Sequence, residues 1–189
     1  PHHAMSDTPS INDKSASRIV IVGAGAAGLA CAWRLAGAGL DVILIEAGEP
    51  GGGALQASGG MLAAGFECAV ELEPDHPLAP AFVRFAEASA ELWPGWAERL
   101  QAESGRALAY ERRGSLTPIF TAEESERAAA AMERARALGV EASRLDADAA
   151  REAELSLAPA LGAVVFPKDG QVDNRALGAA LIDAARARG

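Results

Sequence analysis

The sequence predicts an α/β fold: a βαβ unit with an incomplete parallel sheet, followed by part of an α+β region with antiparallel strands. Three observations carry this. Ile19–Val22 and Val42–Ile45 are short apolar runs, the pattern of strands buried on both faces. Between them, Gly23-Ala24-Gly25-Ala26-Ala27-Gly28 fits G-x-G-x-x-G and opens a helical pattern. Further on, Leu108–Phe120 and Leu161–Phe166 read as strands of a separate, antiparallel sheet.

Within the first unit, Leu29, Ala32, Trp33 and Ala36 are spaced to bury one helix face. Gly37 and Gly39 end the helix, since glycine enters the left-handed cap conformation without a Cβ clash. Glu46 sits at the C-terminal tip of the second strand. Strand, glycine turn, helix, strand and terminal acid together form a Rossmann-like dinucleotide-binding unit. Gly23 lets the chain turn tightly, Gly25 lets a pyrophosphate approach the backbone, and Gly28 lets helix and strand pack closely. The helix N-terminus offers N–H groups and partial positive charge to phosphate. Glu46 is positioned to accept hydrogen bonds from ribose hydroxyls and disfavours a 2′-phosphate.

The chain has 189 residues, half of them hydrophobic, room for one domain or somewhat more. A formal net charge of −9 and no basic stripe argue against nucleic acid or an anionic membrane as partner. Cys31 and Cys68 are too few for a disulfide framework or metal cage, so no metal site is expected. Cys31, on the βαβ helix, reads as a small buried hydrophobe. No apolar stretch reaches membrane-spanning length and no signal peptide is visible, so a cytoplasmic location is the default. Pro1–Ala4 reads as a tag remnant that removes His2 and His3 from any metal argument; Met5 reads as the native start, and Ser6–Ser17 as a frayed polar segment.

Ala47–Gly60 reads as a glycine-rich loop near the nucleotide, and Glu67–Pro80 as an irregular surface excursion with His76 in solvent. Leu78–Glu103 reads as a long amphipathic helix that Pro94 kinks or divides. Its Phe82, Phe85, Ala86, Ser89, Leu92, Trp93, Trp96 and Leu100 read as one core-facing stripe. Leu108–Arg112 and Gly114–Phe120 read as two strands, with Pro118 favouring an edge. Thr121-Ala122-Glu123-Glu124 is a capping box for a helix to about Leu138, stopped by Gly139. Asp146 or Asp148 caps a short helix through about Leu155. Leu161–Phe166 is a strand, Lys168-Asp169-Gly170 a turn, and Asp173 or Asn174 caps a last helix, Arg175–Arg188.

Only two parallel strands are legible, whereas a doubly wound sheet flanks its first strand on both sides. Without another strand, Ile19–Val22 is expected to expose apolar side chains and an unpaired edge. The expectation is a part of a longer polypeptide, whose remainder is the first partner to look for.

Gly51–Cys68 (GGGALQASGGMLAAGFEC), Arg113-Gly114-Ser115-Leu116 and Phe166–Asp173 (FPKDGQVD) resemble flavin-dependent amine oxidoreductases of the D-amino-acid oxidase class, most of all their glycine oxidase branch. The resemblance runs from Arg18 to Gly189, the N-terminal half of such an enzyme, and moves the cofactor from NAD to FAD. It implies that Gly23, Gly25, Ala26, Ala27 and Gly28 hold the FAD pyrophosphate, and that Glu46 and Ala47 contact the adenosine ribose. It also implies Gly52 and Gln56 as cofactor residues, with Ala57, Gly60, Met61 and Leu62 near the flavin ring or its ribityl chain. Leu55 and Gln56 stand where the family often has Ser or Thr.

The implied domains are 1–17 (tag remnant and N-terminus), 18–76 (FAD-binding), 77–170 (substrate or cap) and 171–189 (helix returning to the FAD domain). The implied reaction oxidises glycine, sarcosine or a D-amino acid to the imine by hydride transfer to flavin N5, in a branch linked to thiamine synthesis and in a homo-oligomer. Two other readings stand beside it: a flavin dehydrogenase subunit of a complex, and a fragment that holds FAD or ADP without turnover. The resemblance places substrate-binding groups beyond this chain; Tyr110 is not matched to such a role, and Arg84, Arg112 and Arg113 read as surface or structural.

Overall fold

A computed structural model describes residues 18–189. The readings for the tag remnant, the native start and Ser6–Ser17 lie outside the described residues. Strand β1 (Arg18–Val22) pairs in parallel with β2 (Asp41–Ile45), Ile21 opposite Leu44, and helix α1 (Ala26–Gly37) crosses between them. One sheet face lies inward, with Leu44 joining the main core. The other carries Val20, Val22, Ile43 and Ile45 in the open, Val22 at 82% exposure. The apolar exposure expected of an unflanked first strand is therefore present among the described residues.

The loop expected over Ala47–Gly60 instead contains a short helix, α2 (Gly53–Ala57), followed by β3 (Met61–Leu62). The excursion expected from Glu67 begins inside helix α3 (Ala64–Glu71), whose Cys68 and Ala69 are buried. His76 is exposed as expected, its Nδ1 accepting the Leu78 N–H at 3.2 Å.

Helix α4 (Ala79–Ser104) runs 26 residues, and Pro94 does not divide it. Proline removes one helical hydrogen bond, and here aromatic packing secures the helix on both sides of that position. Trp93 stacks on Tyr110, Trp93 meets Trp96 edge-on, and Trp96 meets Trp33 edge-on at 5.3 Å. The core-facing stripe is only partly right. Val83, Ala97 and Leu100 are buried, while Phe82, Phe85 and Leu92 face outward, Phe85 at 70% exposure. The helices packed against α4 leave Phe82, Phe85 and Leu92 uncovered.

Leu108–Arg112 is not a strand: Ala109 takes a left-handed φ of 46°, which turns the chain, and only Glu111 bridges to Gln171. Strand β4 (Ser115–Ile119), with Pro118, lies at the edge of a three-stranded antiparallel sheet. Its centre is β6 (Gly162–Phe166) and its other edge is β5 (Ser143–Leu145), which the sequence reading missed. Helix α5 (Ala122–Leu138) starts with the expected capping box at Thr121 and ends at Gly139, φ 73°. Helix α6 (Ala147–Ala153) is capped by Asp146, and α7 (Asn174–Arg186) by Asp173. Between β6 and α7, β7 (Gly170–Gln171) pairs antiparallel with β3.

Two cores result. One gathers Leu29, Trp33, Leu100, Leu108, Leu177 and Leu181 where α1, α4 and α7 meet; the other gathers Ala69, Ile119, Ala128, Val164 and Phe166 between α3, α5 and the antiparallel sheet. Cys31 is exposed rather than buried, because α1 directs Ala32 and Trp33 inward and leaves position 31 on the outer side. No described helix is long and apolar enough to cross a membrane.

Candidate cofactor site

Gly23 leaves β1 with φ 100°, and its N–H donates to the Ile45 carbonyl at 2.7 Å, holding the turn against the tip of β2. A Cβ on Gly28 would lie 1.8 Å from the Gly23 oxygen, so the third glycine is required by helix–strand contact. A Cβ on Gly25 would meet nothing within 4 Å, so the backbone there is open to a ligand. Gly25 is the N-cap of α1 and supplies no side-chain cap; the first helical bond is Leu29 N–H to Gly25 O at 3.0 Å. The N–H groups of Ala26, Ala27 and Gly28 thus have no intrahelical acceptor, and Ala26 and Ala27 are exposed.

Glu46 faces this turn. Its carboxylate accepts the Ala24 N–H at 2.6 Å and the Gly48 N–H at 2.9 Å. The Ala24 bond, then the Gly48 bond, holds its pKa below the usual carboxylate range, so the acid stays ionised in solvent. Ala47 is exposed beside it. Gly51, φ 76°, donates its N–H to the Ala24 carbonyl at 2.8 Å, tying the next segment to the same turn.

That segment leads into α2, with Gly52 as N-cap and Gln56 and Ala57 exposed. Leu55 turns toward α7, where a Cβ on Gly178 would meet its Cδ2 at 3.4 Å. A packing role accounts for an apolar residue at this position. Gly60 is buried with φ 72°; its carbonyl accepts the Val172 N–H at 2.9 Å, and a Cβ there would lie 2.0 Å from the Val172 oxygen. Met61 is 61% exposed and Leu62 half-buried in β3. The structure thus gathers Gly23–Gly28, Glu46 and Ala47 at one end of the parallel sheet, and supports both α1 and α2 on α7.

Two contributors to this architecture were not singled out in the sequence. Asn174, weighed only as a cap, donates its Nδ2 amide to the carbonyls of Leu55, Gln56 and Ser58 at 2.7, 3.0 and 2.8 Å. Asp169, read as turn chemistry, is fully buried. Arg112 pairs its Nη2 with Glu91 at 2.6 Å, while Arg84 and Arg113 are exposed. Among the described residues no cluster of three or more His, Cys, Asp or Glu could hold a metal ion.

Bare backbone at Gly25 and open N–H donors at α1 suit a dinucleotide's pyrophosphate, and an ionised acceptor at the β2 tip suits its ribose hydroxyls. Fold and site therefore define a dinucleotide-binding α/β protein. The family model described as "FAD dependent oxidoreductase" matches residues 18–189, and the chain belongs to that family, whose cofactor is FAD. Among curated proteins it is 33% identical over 173 residues to glycine oxidase of Geobacillus kaustophilus (strain HTA426), covering 90% of this chain and 44% of that protein. A second glycine oxidase, from Pseudomonas aeruginosa, is 39% identical over 90 residues, 47% of this chain and 22% of that protein. The crystal structure of the Geobacillus kaustophilus enzyme superimposes with a TM-score of 0.78 over 91% of this chain and 45% of that one, at 33% identity. Iminodiacetate oxidase from Chelativorans sp. BNC1 gives 0.68 at 27% identity, over 91% and 45% of the respective chains. The chain spans less than half the length of the curated relatives it matches.

Proposed function

We propose that this chain supplies the first part of the FAD-binding domain and of the substrate domain of an oxidase of small amines or amino acids, with glycine, sarcosine and D-amino acids as the first substrates to test. The observation that carries the reading is the open cradle at Gly25, faced by the ionised Glu46, in a chain of the FAD-dependent family. In this reading the N–H groups of Ala26, Ala27 and Gly28 hold the pyrophosphate, and Glu46 with Ala47 orients the ribose. Gly52, Gln56, Ala57, Gly60, Met61 and Leu62 line the path to the flavin. FAD, when bound, would supply the redox chemistry, with flavin N5 as hydride acceptor and oxygen or another acceptor as the final oxidant. The chain's own residues bind and orient, and residues 18–76 with the returning helix 171–189 supply the first part of the FAD-binding domain. The similarity to iminodiacetate oxidase adds N-carboxymethyl amines to the substrate panel.

The test is a visible spectrum and FAD titration of the full-length protein, followed by oxygen uptake with glycine, sarcosine, D-alanine and iminodiacetate. Flavin bands and amine-dependent oxygen uptake support the proposal. Flavin with turnover only on an artificial acceptor would move the protein to the dehydrogenases. A protein that takes up no FAD would overturn the reading.

A further inference from the structure

The Asp169 side chain is wholly removed from solvent, yet both of its oxygens are used. Oδ1 accepts the Gly65 N–H at 2.7 Å; Oδ2 accepts the Phe66 N–H at 3.2 Å and the Ser115 hydroxyl at 2.7 Å. Its own carbonyl accepts the Gly114 N–H at 2.9 Å. Gly65 and Phe66 form the first turn of α3, whose N-cap Ala63 has no polar side chain to offer. The cap that the local sequence lacks is thus delivered from more than a hundred residues away along the chain.

The location gives this cap a second consequence. The residues after Asp169 are β7, which pairs Gly170 with Leu62 and Gln171 with Met61. Strand β6, the centre of the antiparallel sheet, ends three positions before it, at Phe166. Ser115 opens β4, the neighbouring strand. One carboxylate therefore joins three segments: the start of α3 directly after Met61–Leu62, the turn carrying their strand partner, and the edge of the antiparallel sheet. A Cβ on Gly65 would meet Oδ1 at 3.0 Å, so the approach leaves no slack.

We infer that Asp169 is a positioning residue that fixes Met61 and Leu62, through α3 and β7, relative to the antiparallel sheet, and thereby sets the environment of the flavin ring. The inference rests on the proposed function, in which Met61 and Leu62 lie beside that ring. Asp169 touches neither cofactor nor substrate in this account. Its removal frees the Gly65 and Phe66 N–H groups and lets the β3–β7 pair shift.

The experiment uses the full-length holoenzyme in four forms: wild type, Asp169→Ala, Ser115→Ala and Thr121→Ala. Thr121 caps α5 and serves as a destabilised control away from Met61–Leu62. Visible spectrum, FAD affinity and flavin midpoint potential are compared under conditions where each form is folded. Asp169→Ala should weaken FAD binding at least tenfold and shift the flavin bands or potential. Ser115→Ala, which leaves two of the three donors, should do so to a smaller degree, and it carries the test if Asp169→Ala does not fold. Thr121→Ala should lower thermal stability and leave spectrum and potential as in wild type. Wild-type flavin properties in both Asp169→Ala and Ser115→Ala would overturn the inference while leaving the proposed function intact. A wild-type protein that takes up no FAD would overturn both.

Discussion

The Glu46 carboxylate accepts the Ala24 N–H at 2.6 Å across the mouth of the glycine turn, joining the tip of β2 to the loop that opens α1. The acid thus helps to form the cradle that it faces. With the Gly48 N–H also bound, its ionised form is favoured over the protonated one.

The first expected outcome concerns acidity. Because the folded-state pKa of Glu46 is depressed, its support for the turn is present above the ordinary carboxylate pKa and is lost as pH falls through the lowered value. The Ala24 and Gly48 amide resonances should titrate together, with a midpoint below 4.5. Glu46→Gln should abolish that titration and weaken dinucleotide binding. A midpoint at the ordinary carboxylate value, or the same titration in Glu46→Gln, would remove Glu46 from the turn.

A second outcome separates two glycines with different duties. Gly28→Ala drives a Cβ into the Gly23 carbonyl, and overpacking of this kind costs about 1–3 kcal/mol. Gly25→Ala meets no atom, and φ is −79° there, so stability should stay within about 0.5 kcal/mol. FAD affinity should nevertheless fall about tenfold or more, since the methyl occupies the space a phosphate needs. Urea unfolding combined with FAD titration distinguishes the two, and equal effects of both variants on stability would contradict the assignment.

A third outcome concerns the joint between α1, α4 and the chain's last turn. Glu103 accepts the indole N–H of the buried Trp33 at 2.6 Å and the Nε of Arg188 at 2.8 Å, and Arg188 lies over the Trp33 ring. Its pKa is held low, first by the Arg188 hydrogen bond. Glu103→Ala orphans a buried donor and should cost about 1–3 kcal/mol. Arg188→Ala leaves that bond in place and should cost only about 0.2–1 kcal/mol. Thermal unfolding of the two variants should rank them in that order, and the reverse order would place the main stabilisation in the ion pair.

The left-handed Ala109 yields a fourth outcome. A non-glycine residue in that region is strained by about 1–2 kcal/mol, part of which glycine gives back through its more flexible unfolded chain. Ala109→Gly should therefore stabilise by about 0.5–1 kcal/mol, raising Tm by about 2 °C. A fall in Tm would mean that Tyr110 and Trp93 depend on the alanine.

Local chemistry determined much of this protein from sequence alone. The Thr121 capping box and the stop at Gly139 depend on contacts within a few residues, and the glycine turn with its two parallel strands closes within one βαβ unit, so spacing and residue type were sufficient. The turn at Gly23–Gly28, faced by Glu46, was legible for the same reason. Tertiary structure decided the rest. The outward turn of Phe82, Phe85 and Leu92 depended on which side of α4 other helices occupied, and an apolar stripe does not carry that information. The glycine-rich stretch became α2 with the Asn174 amide closing its far end, and α3 began where Asp169 could reach it, in both cases through partners more than a hundred residues away. A polar residue in a turn motif reads locally as turn chemistry. Only the folded chain brings it to the unpaired N–H and carbonyl groups that it satisfies.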